Sequence, residues 1–87
     1  MEIGERIRHI REVEGLSQED FAVEIGMKYQ TLRKYETGRT TSIGSEQLSK
    51  ITTHPRFEKY TLWLMTGKTE TDEGQISPEM FKEHNAG

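Results

Sequence analysis

At 87 residues the chain has room for one domain with a small core. It has no cysteine, which excludes a disulfide framework and a cysteine zinc site, and His9, His54 and His84 lack metal-ligand spacing, so no metal or cofactor is expected. No apolar run approaches the roughly 20 residues of a bilayer span, and the N-terminus MEIGERIRHIR is charged throughout, unlike a signal peptide; a cytoplasmic protein that avoids membranes is expected.

The net charge is −3, but it is unevenly spread. Residues 1–68 hold 11 Lys/Arg against 10 Asp/Glu, while 69–87 hold one Lys against five acids. Within 28–39, Lys28, Arg33, Lys34 and Arg39 face a single acid, Glu36. A local basic surface matters more to a polyanion than the whole-chain sum.

The elements read as follows. Ile3, Ile7, Ile10 and Val13 form one apolar stripe on a helix over 2–14. Gly15 stops it and Leu16 packs back on its end. Arg11 flanks the stripe, whereas Arg6, Arg8, His9, Glu12 and Glu14 fall off it. Ser17 caps a second helix, Gln18–Ile25, with Asp20 answering three residues on. Gly26 takes the left-handed turn. A third helix, Lys28–Thr37, turns Leu32 and Tyr35 inward and ends at Gly38. Two short helices with a glycine turn are the unit that sets a helix in a DNA groove.

GRTTSIG, 38–44, has no apolar period and is a loop. A fourth helix runs from Ser45, its cap, to Thr53, with Leu48 and Ile51 inward. His54-Pro55 ends it. A fifth, Arg56–Thr66, carries Phe57, Tyr60, Trp63 and Leu64 at helical spacing and stops at Gly67. Phe57 and Trp63 belong in the core or, in part, at a dimer contact; His9 and His54 are surface or boundary residues. Residues 68–87 are acidic without a periodic face. They are either one short helix from Pro78, capped by Ser77, or a mobile tail. The expected division is a helix-turn-helix domain over 1–67 and an acidic, flexible tail over 68–87.

Arg11, Leu16-Ser17-Gln18, Phe21-Ala22, Gly26, Leu32, Tyr35-Glu36-Thr37-Gly38 and Trp63 to Gly67 together form a pattern that resembles the phage repressor and Cro-like helix-turn-helix regulators, the XRE family. The resemblance covers residues 3–67. It implies an all-α, five-helix, lambda-repressor-like domain with the helix-turn-helix at helices two and three. It implies that Gln18 meets a DNA phosphate. It also implies that Lys28, Tyr29, Gln30, Arg33 and Lys34 face the major groove, with Tyr29, Gln30 and Lys34 as the main base readers. Gln pairs bidentately with adenine, and Lys or Arg with guanine. Tyr29 has the alternative of packing on its own helix. Backbone amides and side chains from Thr37 to Thr40, with Arg39, are implied to grip the phosphate beyond helix three. Arg11 and Glu36 hold the positions of a partly buried ion pair, in which an unpaired charge costs about 3–5 kcal/mol.

Three features depart from the family pattern. Lys28 replaces the usual Ser or Thr cap, the region ITTHPRFEKYTLWLMTG is about one helical turn longer, and the tail has no counterpart. The implied function is a transcriptional regulator, a repressor, that binds a two-fold-related operator in double-stranded DNA as a homodimer. The alternative is an antitoxin-like or adaptor protein-binding module that acts through helix five and the acidic tail. No catalytic triad or phosphate-cradling loop is present, so neither an enzyme nor a small-molecule substrate is expected.

Overall fold

The computed structural model describes residues 1–85. Among them there are six α-helices and no strand: α1 Ile3–Val13, α2 Gln18–Ile25, α3 Tyr29–Glu36, α4 Ser45–Thr52, α5 Thr61–Thr66 and α6 Pro78–Asn85. Two single turns of 3₁₀-helix, Glu58–Tyr60 and Thr71–Glu73, precede α5 and α6. No helix among the described residues is long and apolar enough to cross a membrane.

The stripe of α1 turns inward as its spacing demands. Ile7 and Ile10 are fully buried, and Ile3 and Val13 pack at the edge of the core. Burying each such side chain contributes about 1.5–3 kcal/mol. Phe21, Ala22 and Ile25 from α2, Leu32 and Tyr35 from α3, Ile51 from α4 and Leu64 from α5 complete the core with Met27, Phe57 and Tyr60. Phe21 and Phe57 meet edge to face at 5.0 Å.

Ser17 caps α2 by accepting the Asp20 amide at 3.1 Å. At the other end Gly26 adopts φ +71°. Its N–H reaches the Val23 carbonyl at 3.2 Å and the Met27 N–H reaches Ala22 at 2.9 Å, the paired bonds of a glycine-ended helix. The same pair ends α1, through Gly15 and Leu16, and α3, through Gly38 and Arg39. α1 then crosses α3 so closely that a Cβ at Gly4 would run into the Tyr35 carbonyl oxygen. Gly4 is thus the point where the two backbones meet.

Four expectations are corrected. The cap of α4 is Gly44; Ser45 is already the first helical residue, and no side chain caps this end. The fifth helix is broken. Residues 54–57 turn a corner, Glu58–Tyr60 is 3₁₀, and only Thr61–Thr66 is α-helical. Pro55 has no N–H to continue the α4 ladder, and at the corner His54 Nδ1 accepts the Arg56 N–H at 3.1 Å. With Nδ1 accepting, Nε2 carries the hydrogen and meets Glu24 Oε1 at 3.1 Å, so His54 links the corner to α2. The third correction is Glu14, which lies off the α1 stripe but is buried. Its carboxylate, 3% exposed, meets Arg56 Nε at 2.8 Å and Lys59 Nζ at 3.0 Å, and accepts the Tyr60 hydroxyl at 2.6 Å. Burial raises the Glu14 pKa, but the hydrogen bonds from Tyr60, Arg56 and Lys59 outweigh it and the net shift is downward. Burial, and then the bond to Glu14, push the Tyr60 phenol far above its usual value.

The fourth correction concerns residues 68–85. The helical alternative holds, and the segment folds onto the domain rather than standing apart at residue 67. Ser77 Oγ accepts the Met80 amide at 3.2 Å, Pro78 is buried, and Ile76 and Phe81 pack on the core. The Gln75 side chain staples the loop. Its Oε1 accepts the Leu62 N–H at 2.9 Å and its Nε2 donates to the Glu58 carbonyl at 3.1 Å. The arrangement is therefore six helices and two 3₁₀ turns, not five helices and a tail.

Candidate nucleic-acid interface

α3 has one side in the core and one in solvent. Leu32, Tyr35 and Glu36 are buried, whereas Gln30, Arg33, Lys34 and Thr37 are exposed. The spacing 30, 33/34, 37 is one stripe of a helix. With Arg39 these four residues line a depression of about 340 Å³. Lys28 is exposed just before the helix, with extended backbone and no side-chain cap bond. None of Lys28, Arg33, Lys34 and Arg39 forms an ion pair with an acid among the described residues. Arg8, Arg11, Arg56 and Lys59 do, all on other parts of the molecule. The basic side of α3 thus keeps its charge available to an external anion.

The ion pair behind α3 is closely made. Arg11 Nε meets Glu36 Oε2 at 2.9 Å and Arg11 Nη2 meets Oε1 at 2.9 Å, a two-point fork. The side chains are 14% and 2% exposed, so the carboxylate is almost wholly out of water. Arg11 Nη1 also donates to the Leu16 carbonyl at 2.9 Å, tying the α1–α2 corner to the pair. Gln18 joins them: its Nε2 donates to Glu36 Oε1 at 3.1 Å. An amide nitrogen carries two hydrogens. One is spent on Glu36, and the other is left to reach outward from the start of α2. Sequence gives Gln18 and Glu36 separate roles. Their contact spans 18 positions and no local pattern announces it.

Other expected site residues separate from this stripe. Tyr29 is half-buried and packs against the core. Thr40 is half-buried and lines a different recess, with Glu2, Glu5 and Thr41. The amides after α3 are already bonded. Thr37 N–H goes to Arg33, Gly38 N–H to Tyr35, and the Arg39 and Thr40 N–H groups to Lys34. The Thr37 hydroxyl donates to the Arg33 carbonyl at 2.8 Å. These donors close the C-terminus of α3, and the Arg39 side chain makes no ion pair among the described residues. Lys50, which sequence does not single out, donates to the Gly26 carbonyl at 3.0 Å and braces the turn between α2 and α3.

An exposed helix bearing Gln, Arg and Lys, set at a glycine turn on a preceding helix and braced from behind, defines a helix-turn-helix. The helix-turn-helix domain family matches residues 2–53, which span α1 to α4. The chain belongs to that family, as a phage repressor-like member. It is 40% identical over 78 residues to Repressor protein C of Escherichia phage P2, an alignment that covers 90% of this chain and 78% of that protein.

Proposed function

We propose that the protein is a transcriptional repressor that binds a specific double-stranded DNA operator as a homodimer, with α3 in the major groove. The observation that carries this is the unpaired basic stripe of α3, with Gln30 at its N-terminal end. Family membership and the phage repressor relative support the class. Gln30 and Lys34 are the base readers in this proposal. Gln18 and Arg39 bind flanking phosphates, and Lys28 and Arg33 add charge at the groove edge. A single α3 offers a small footprint for tight binding. Two copies related by a two-fold axis would read half-sites about one helical turn, roughly 34–36 Å, apart.

The test is a mobility-shift titration on sequences selected from a random DNA pool. Gln30→Ala should cost about 1–3 kcal/mol on the selected site and relax its preference at one base pair. Arg39→Ala should weaken all sequences alike and lower the salt slope by about 1. Selected sites without two-fold symmetry would remove the dimer, and Gln30→Ala and Lys34→Ala both binding as wild type would remove the base-reading assignment.

A further inference from the structure

A second surface, away from α3, is built by the segment that follows α5. The 70–75 loop closes on itself through an antiparallel bridge between Glu70 and Gln75. It is pinned to the start of α5 by the two Gln75 side-chain bonds and by the Ile76 N–H to the Lys59 carbonyl at 2.9 Å. Between this loop and the 52–65 region lies an open groove of about 840 Å³. Its apolar lining includes Pro55, Leu62 and Met65, the last 50% exposed. Its rim carries Glu58, Glu70 and Glu73.

The charge of the groove is not neutralised from within. Lys59 is the basic residue on its lining, and its ammonium is turned away to Glu14 and to the Arg56 carbonyl at 2.7 Å. Glu58, Glu70 and Glu73 make no ion pair among the described residues. An apolar floor with a rim of three uncompensated carboxylates selects a ligand that is apolar at its centre and cationic at its edges. It disfavours nucleic acid, whose phosphates would meet the acids. It disfavours a second copy docked groove to groove, because that contact would bring two acidic linings together with no free cation between them.

We propose that this groove is a docking site for a basic amphipathic segment of another protein, separate from the DNA-facing side of α3. One or two apolar anchors would lie on Leu62 and Met65, and flanking Lys or Arg would pair with Glu58, Glu70 and Glu73. A regulator of this build would take a protein partner and DNA on different surfaces.

The probe is a short synthetic amphipathic peptide of Leu and Lys, titrated into the full chain and followed by amide chemical shifts. The matching Leu/Glu peptide is the control. Shifts are expected at Leu62, Met65, Gly74 and Gln75, with the α3 amides unmoved and no response to the Leu/Glu peptide. The variant Glu58→Gln/Glu70→Gln/Glu73→Gln keeps the side-chain shapes and should weaken the Leu/Lys peptide about tenfold or more. Its melting temperature checks that the fold is intact, and Met65→Ser tests the apolar anchor if the triple variant fails to fold. Three results would overturn the proposal: shifts centred on the acids of α2, equal binding of both peptides, or concentration-dependent broadening at Met65 without peptide, which marks a second copy in the groove. A protein that binds the peptide as expected but shifts no DNA would leave this inference standing and remove the repressor function, so the two are separable.

Discussion

Glu36 and Glu14 are both nearly withdrawn from water, at 2% and 3% side-chain exposure, and both are answered by arginine. Their surroundings differ. Glu36 has one cation, Arg11, itself 14% exposed, plus the neutral amide of Gln18. Glu14 has two cations, Arg56 at 41% exposure and Lys59 at 28%, plus the Tyr60 hydroxyl. The first site is a single fork between α1 and α3, and it fixes the pose of the helix that faces outward. The second is a redundant cluster that ties the end of α1 to the corner before α5. A buried carboxylate with one cationic partner makes a joint whose loss is severe, while one with two cations tolerates losing a member.

Removing Arg11 should therefore have the largest effect. Arg11→Met leaves Glu36 uncompensated in the interior and is expected to destabilise the fold by about 3–5 kcal/mol in urea unfolding. A melting temperature equal to wild type would mean the pair is solvated and would dissolve the contrast. Arg56→Met should cost far less, about 1 kcal/mol, because Glu14 keeps Lys59 and Tyr60. If the two losses are equal, redundancy is not what distinguishes the sites. The comparison most informative in acid is Glu14→Gln. The Glu14 pKa is depressed from 4.5 on folding. Its contribution is therefore present above about pH 4.5 and is lost as pH falls through the lower folded value. The gap in unfolding free energy between wild type and Glu14→Gln should narrow as pH falls from neutral to below 4.5. A constant gap would show that the carboxylate charge is not what the cluster uses.

The same contrast explains what could be read from sequence. α1, α2 and α3 follow from stripes and caps that repeat within four residues, and the meeting of Arg11 with Glu36 was implied by the family resemblance, with which their positions beside one stripe and at the end of α3 agree. Glu14 was opaque, because its partners lie more than 40 positions on and nothing local separates it from the solvent-facing Glu12. The segment after α5 was opaque for a related reason. Gln75, Ile76, Pro78 and Phe81 each make a tertiary contact, but they form no period, so the acids around them dominate the pattern. The role of Gly4 depends on how closely the backbones of α1 and α3 approach, which composition does not encode.

The glycine closures of α1, α2 and α3 have a kinetic consequence. Each is complete within six consecutive residues, so the ends of the three helices that carry the candidate interface are closed by near neighbours alone. Chains whose order is set by near neighbours have short loops to close and cross low barriers. The region from α1 to α3 is thus built to regain its shape quickly after being opened, and its occupancy of a ligand should be governed by encounter and release rather than by refolding.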